Sequence, residues 1–241
     1  MLFCKHKKDL PQISAIIVAA GNASRMHGID KQYAQIGNLP VIVRSVQQFD
    51  DCPLINEIIL VCRESDIASY YAIVRDFGFK KISQIVAGGN ERQDSVFRGI
   101  DACSTNADFF AIHDGARPLV TAEIIAECID AAIKHGAAAA GVPVKDTIKQ
   151  VRTDGSIAET PDRSKLVAIQ TPQIFAAQLY RSAMALAIKQ GHHYTDDCQL
   201  IENSGHCVFV SCGSYSNIKI TTPEDLEIAE ALLNYYEEEV K

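Results

Sequence analysis

No run of about 18 apolar residues occurs in the 241-residue chain, so the sequence offers no candidate transmembrane helix. No Cys-x-x-Cys pair occurs among the eight cysteines at positions 4, 52, 62, 103, 128, 198, 207 and 212. Several of them fall inside apolar strand or helix patterns, and a chain this long needs no covalent staples. Reduced thiols are therefore expected, rather than a disulfide framework or a zinc site. Positive charge is not in surplus either: 23 Lys and Arg stand against 30 Asp and Glu, a net charge of −7. That balance excludes broad, non-specific binding of nucleic acid by a basic face, and any anion must be held by a local cluster of cations. Residues 1–12 (MLFCKHKKDLPQ) are basic but lack the apolar core of about 7 to 15 residues that marks a signal peptide. The expectation is a protein of the bacterial cytoplasm, or of the plastid stroma after a transit peptide has been removed.

Two nucleotide fingerprints are missing as well. After Gly21 the sequence continues Asn, Ala, Ser, Arg, which is neither the G-x-G-x-x-G of a dinucleotide fold nor the G-x-x-x-x-G-K-[ST] of a P-loop. No Ser/His/Asp triad or pair of catalytic carboxylates stands out.

What is present is material for a core, with 47% hydrophobic and 22% charged residues and no signature of disorder. Length favours one domain over 1–241. The stretch Ile16 to Lys31 (IIVAAGNASRMHGIDK) organises the rest. Four apolar residues end at Ala20-Gly21 in a small-residue loop carrying Arg25 and Lys31. Glycine lets backbone N–H groups approach an anion and the cations supply charge, so this is a candidate triphosphate site.

Along the chain, buried-strand patterns at Ile16–Ala19, Glu57–Cys62, Lys81–Val86, Asp108–Ile112 and Ala137–Val144 alternate with helical spacing at Val41–Phe49, Asp66–Phe77, Arg92–Ala102 and a segment N-capped by Thr121. The last of these presents Ile124, Ile125, Cys128, Ile129, Ala132 and Ile133 as its apolar face and closes at Gly136. Further on, Lys165–Thr171 and Cys207–Val210 read as strands and Ala176–Lys189 as a helix. A helix also starts at Thr222-Pro223-Glu224-Asp225. The fold class is α/β and Rossmann-like, a mostly parallel sheet covered by helices on both faces. Between Lys145 and Ser164 the rhythm breaks into a polar stretch with Asp154-Gly155 between two extended halves, a hairpin signal. Such an arm has little core of its own and is expected to project as the interface of a homodimer.

His192, His193, Asp196 and Asp197 read as a helix start, the two aspartates favoured by the helix dipole, rather than as a metal site. His113 reads as structural.

The strand end Ala19-Ala20-Gly21 with Ser24-Arg25-Met26 and Lys31-Gln32-Tyr33 is followed by Gly88-Gly89-Asn90-Glu91-Arg92-Gln93-Asp94-Ser95-Val96 and His113-Asp114-Gly115-Ala116-Arg117-Pro118. Then come Pro143-Val144-Lys145-Asp146-Thr147, Gln170-Thr171-Pro172-Gln173, Thr195-Asp196-Asp197 and Asn217-Ile218-Lys219-Ile220-Thr221. In this order the motifs resemble the 2-C-methyl-D-erythritol 4-phosphate cytidylyltransferase family, over about residues 13–230.

The resemblance implies a single nucleotidyltransferase domain in which CTP and methylerythritol phosphate react to give CDP-methylerythritol and pyrophosphate, with Mg²⁺ as cofactor. It assigns transition-state stabilisation to Arg25, Lys31 and Lys219. It places the nucleotide at Ala19, Ala20, Gly21, Gly88, Gly89, Asn90, Ser95 and Asp114, and the metal at Asp114. The second substrate falls to Asp114, Arg117, Thr147, Arg163, Thr171 and Lys219, with Thr147 and Arg163 reaching into the neighbouring subunit's site. Ser216 stands where some relatives carry a carboxylate. Neither nucleic acid nor membrane is implied as a partner. Ribitol 5-phosphate cytidylyltransferase shares the loop and the HDxxRP pattern and stays open, although residues 141–149 (GVPVKDTIK) look more like the isoprenoid enzyme. So do a non-catalytic CTP-binding module and, more distantly, a dinucleotide-dependent oxidoreductase.

Overall fold

The computed structural model describes residues 10–21, 26, 28 and 30–239. Seven strands build one sheet: β1 (Ile13–Val18), β2 (Glu57–Cys62), β3 (Ile82–Ala87), β4 (Phe109–Asp114), β5 (Ala137–Pro143), β6 (Val167–Ala176) and β7 (Phe209–Cys212). Their spatial order is β7-β5-β6-β4-β1-β2-β3. The β3-β2-β1-β4 half is entirely parallel. A strand order that reverses beside β1 is the Rossmann-like arrangement, in which a ligand crevice opens at the carboxyl ends of the strands.

Helices α1 (Val41–Asp51), α2 (Ile67–Phe77), α3 (Arg92–Asp101), α4 (Ala122–His135), α5 (Ala177–Gln190), α6 (Asp197–Asn203) and α7 (Pro223–Glu239) accompany the sheet. Strand alternation sorts them onto two faces. Ala15 and Ile17 pack with Phe49, Tyr70 and Ile125, from α1, α2 and α4. Ile16, between them in sequence, packs with Val96, Phe110 and Tyr180 on the face of α3 and α5. With both faces covered, the strands read as continuous apolar runs. A third cluster joins Ala229 of α7 to Met26, Ile36, Val41, Ala116 and Ile220.

The expected helix punctuation is present. The Thr121 hydroxyl accepts from the Ile124 N–H at 3.4 Å, and Gly136 closes α4 at φ +86°, a conformation that favours glycine. Glu91 and Asp94 form a reciprocal capping box at the start of α3. At the start of α7 the Asp225 carboxylate accepts from the Thr221 and Thr222 N–H groups.

Three expectations are corrected. Ile133 does not join the apolar face of α4 and is 48% exposed. Nine residues beyond Ile124, at about 100° per residue, it has rotated past the edge of the stripe. The strand expected at Lys165–Thr171 begins at Val167, runs on to Ala176 and is antiparallel to both neighbours. The physical reason is the connection: between β5 and β6 lie only the hairpin and a single 3-10 turn at Arg163–Lys165, with no crossover α-helix, so the chain turns back at the end it left, as an antiparallel pair allows. The strand expected at Cys207–Val210 lies two residues later, as β7.

The expected hairpin forms where Gly155 turns at φ +83°, between short antiparallel strands at Gln150–Val151 and Ile157–Glu159. Its apolar side chains are bare, with Val151 65% and Ile157 57% exposed. No disulfide joins the described cysteines: Cys52, Cys62, Cys103, Cys128 and Cys198 are buried thiols, and Cys207 and Cys212 are exposed. Cys4 lies outside the described residues. Among the described residues no helix is long and apolar enough to cross a membrane.

The two-faced core predicts unequal costs for isoleucines that look alike in sequence. Ile16→Ala is expected to cost about 2–5 kcal/mol, and Ile133→Ala to stay within about 0.5 kcal/mol of the parent. Urea unfolding of the two variants measures both.

Candidate active site

Sheet register sets the floor of the site. Val18 stands level with Asp114 on one side and Val61 on the other, and Cys62 level with Ala87. The loops leaving these ends enclose a cavity of about 460 Å³. Ala20, Gly21 and Lys31 line it from the first loop, Gly88, Gly89, Asn90 and Ser95 from the end of β3 and the start of α3, and Asp114 and Lys219 from the far side.

The turn after β3 has no room for side chains. A Cβ on Gly88 would lie 2.3 Å from the Ala20 Cβ and 2.7 Å from the Ser95 hydroxyl, and one on Gly89 would lie 2.2 Å from the Asp94 Cβ. Ser95 pins this turn, accepting from the Gly89 N–H at 3.0 Å and donating to the Glu91 carbonyl at 3.1 Å. Two glycines thus bring the ends of β1 and β3 into contact and leave backbone, rather than side chain, facing the cavity.

Asp114 ends β4 among cations. Lys219 Nζ lies 2.7 Å from one carboxylate oxygen, Arg117 Nε 3.9 Å from the same oxygen, and Arg92 Nε 3.3 Å from the other. Burial opposes its charge, yet Arg92, Lys219 and Arg117 together hold the carboxyl well below the usual carboxylate range, because opposite charge at this distance favours the ionised form. Arg92 is shared: its Nη1 lies 2.7 Å from Asp197 Oδ2, and Tyr180 donates to Asp197 Oδ1 at 2.6 Å. Burial first, and then Asp197, push the Tyr180 hydroxyl pKa far up, so it remains a proton donor to that carboxylate.

Beneath Asp114 lies a hydrogen-bonded layer. The Thr171 hydroxyl accepts from the Asp114 N–H at 3.1 Å and meets His113 Nδ1 at 3.0 Å. His113 is fully buried and its pKa is pushed down to about 3. A neutral ring receives the Thr171 proton on Nδ1 and turns Nε2–H toward the Arg117 carbonyl, 3.4 Å away. Thr171 comes within reach because the β6 register slips against β5 between Ile169 and Gln173. Arg117 donates from Nη1 to the Asn217 carbonyl at 2.6 Å, and Asn217 returns a hydrogen bond to the Thr171 carbonyl at 2.9 Å.

The expected residues therefore divide. Nine of them line one cavity. Ala19 is buried behind it, its N–H on the Val61 carbonyl. Arg117 and Thr171 form the layer under Asp114. Thr147 and Arg163 are exposed on the arm, where Arg163 donates to the Lys145 carbonyl. Arg25 lies outside the described residues.

Comparison with known proteins settles the family. The sequence model described as "IspD: 2-C-methyl-D-erythritol 4-phosphate cytidylyltransferase" matches residues 13–235. The protein of that name from Caldanaerobacter subterraneus subsp. tengcongensis is 46% identical over 230 residues, covering 92% of this chain and 98% of the relative. The one from Syntrophotalea carbinolica is 48% identical over 225 residues, covering 92% and 96%. The chain belongs to the 2-C-methyl-D-erythritol 4-phosphate cytidylyltransferase family. Among solved structures, the 4-diphosphocytidyl-2C-methyl-D-erythritol synthase from Anaerococcus prevotii superposes with a TM-score of 0.84 at 33% identity, covering 94% of this chain and all of that one.

Among the charges behind Asp114, Arg92 and Asp197 escaped sequence reasoning. Arg92 reads as an ordinary first residue of a helix, and Asp197 as an aspartate placed for the helix dipole. Asp196 does cap α6, accepting from the Gln199 N–H at 2.9 Å. Asp197, next to it, turns inward to Arg92, 105 residues away in sequence. The signal available was the doubled aspartate: one suffices for a cap, so the second is free for another task.

The two neighbours predict different penalties. Asp197→Ala removes a buried carboxylate that holds both Arg92 and the Tyr180 hydroxyl, leaves the buried hydroxyl without its acceptor, and is expected to cost about 3–5 kcal/mol, whereas Asp196→Ala removes a cap worth about 1 kcal/mol. Chemical denaturation of the two single variants is the measurement.

Proposed function

We propose that this chain transfers CMP from CTP to 2-C-methyl-D-erythritol 4-phosphate, releasing pyrophosphate and 4-CDP-2-C-methyl-D-erythritol, a step of isoprenoid precursor biosynthesis. The observation that carries it is the cavity where the strand order reverses, in which a backbone-lined Gly88-Gly89 turn faces Lys31, Lys219 and Asp114. Family membership supplies the substrates' names, and the geometry supplies groups suited to a triphosphate.

The nucleophile is a phosphate monoester with a second pKa near 6, already mostly dianionic at neutral pH, so the reaction needs no general base. That accords with a neutral, buried His113. One phosphate oxygen attacks the α-phosphorus, the bond to the bridging oxygen breaks, and the electron pair leaves with pyrophosphate. Negative charge grows on the equatorial oxygens and on the leaving group. Lys31 and Lys219, together with Arg25, are the cations assigned to stabilise it.

Among the described residues no group of three or more His, Cys, Asp or Glu could hold a metal ion. The ionised Asp114 carboxylate at the cavity still suits Mg²⁺, a hard cation that takes its remaining ligands from phosphate oxygens and water. Asp114 would hold it, and the ion would neutralise charge on the triphosphate.

Val151 and Ile157, bare on the arm, support pairing with a second copy, which would bring Thr147 and Arg163 to the neighbour's site. In this reading 145–164 is the arm of a single nucleotidyltransferase domain in a cytoplasmic homodimer.

Purified protein with Mg²⁺ and CTP is expected to release pyrophosphate with methylerythritol phosphate and not with ribitol 5-phosphate or without an acceptor. Preference for ribitol 5-phosphate would overturn the substrate, and CTP binding with no release from either would overturn catalysis. Lys31→Ala is expected to lower kcat by about 10²-fold or more while KM for CTP moves much less. An unchanged kcat with a raised KM would contradict a transition-state role. Val151→Asp combined with Ile157→Asp is expected to yield monomers of reduced activity, seen by light scattering beside the same assay.

A further inference from the structure

At the end of β2, Arg63 does more than its own turn requires. Its Nε donates to Asp66 Oδ2 at 2.6 Å, which already gives the guanidinium a partner three residues away. The same side chain also donates from Nη2 to Asp30, 33 residues earlier. Asp30 is the anchor of the segment that follows it. Its other carboxylate oxygen accepts from the Gln32 N–H at 3.1 Å, and its carbonyl accepts from the Tyr33 and Ala34 N–H groups at 3.1 and 3.0 Å. Lys31 sits inside that turn and its Nζ reaches the Ile220 carbonyl at 3.4 Å. Arg63 and Lys31 line the same cavity.

We propose that Arg63 is a positioning residue: through Asp30 it fixes the turn that aims Lys31 at the triphosphate. The inference rests on the role assigned to Lys31 above. The planar fork suits this task because one guanidinium can hold two carboxylates in set directions, which an ammonium cannot do. Arg63 and Asp30 are each about 30% exposed (30% and 31%), and a pair so open to water contributes little to stability. A small displacement of Lys31, in contrast, is expensive in rate, since about 1 Å of misplacement can cost as much as 10²-fold. Loss of the clamp is therefore expected in turnover rather than in folding.

The test is a set of variants in the CTP and methylerythritol phosphate assay, with thermal unfolding alongside. Arg63→Ala and Asp30→Asn are each expected to lower kcat about tenfold, with KM for CTP moving less. Arg63→Lys keeps the charge but loses the fork, and should recover only part of the rate. In a Lys31→Ala background Arg63→Ala should add no more than about twofold, because a residue acting through Lys31 has nothing left to position. Losses that multiply would place Arg63 on the nucleotide itself and overturn the proposal. So would Arg63→Ala at the parent rate, or a rate loss that merely follows a lowered melting temperature. If Lys31→Ala alone is unimpaired, the role of Lys31 falls first and takes the clamp with it, an outcome distinct from a working Lys31 that ignores Arg63.

Discussion

A carboxylate buried at the end of a strand must be compensated, and the site is built around how Asp114 is. Lys219, Arg92 and Arg117 converge on it, and none of the three would stay so close to the others without the negative charge between them. The compensation continues outward, for Arg92 is itself held by Asp197, and Asp197 by Tyr180. One chain of charge-assisted contacts thus ties β4, α3, α6, α5 and the segment before α7 into a fixed frame. Cations already held in place need no reorganisation when phosphate charge develops, and that is the condition under which they accelerate transfer.

The sheet serves that frame in two ways. Parallel pairing in level register puts Val18, Asp114, Cys62 and Ala87 at one edge, so that loops distant in sequence meet. The antiparallel β6, inserted between β4 and β5, slips in register where it passes the site. There it lends the Thr171 hydroxyl to the backbone of Asp114. A regular ladder would have spent the Asp114 N–H on strand pairing.

Much of the architecture could be read from the chain. Glycines at 78 and 136 stop helices by adopting positive φ, Thr121 begins one, and apolar runs mark strands covered on both sides. The direction of β6 was within reach too, since a polar arm without a helix cannot supply a parallel crossover. Ile133 shows the limit of periodicity at the edge of a stripe, where a small angular drift decides between core and water. At the site, motifs pointed to the residues that face the cavity, Lys31, Gly88, Gly89, Asp114 and Lys219. They did not separate these from the layer beneath, where Thr171, Arg117 and His113 hold one another.

By itself, then, the sequence determined the alternation of elements, the glycine turns and the choice of Lys31 and Lys219 as cavity cations, because each depends on local backbone preference or on residue chemistry. Tertiary structure alone decided who meets whom. Asp197 on Arg92 across 105 residues and Asp30 on Arg63 across 33 are partnerships between charges that look solvent-bound in the chain. Nothing local distinguishes a surface aspartate from one that the fold turns inward, because the distinction is made by whichever opposite charge the packed sheet and helices bring beside it.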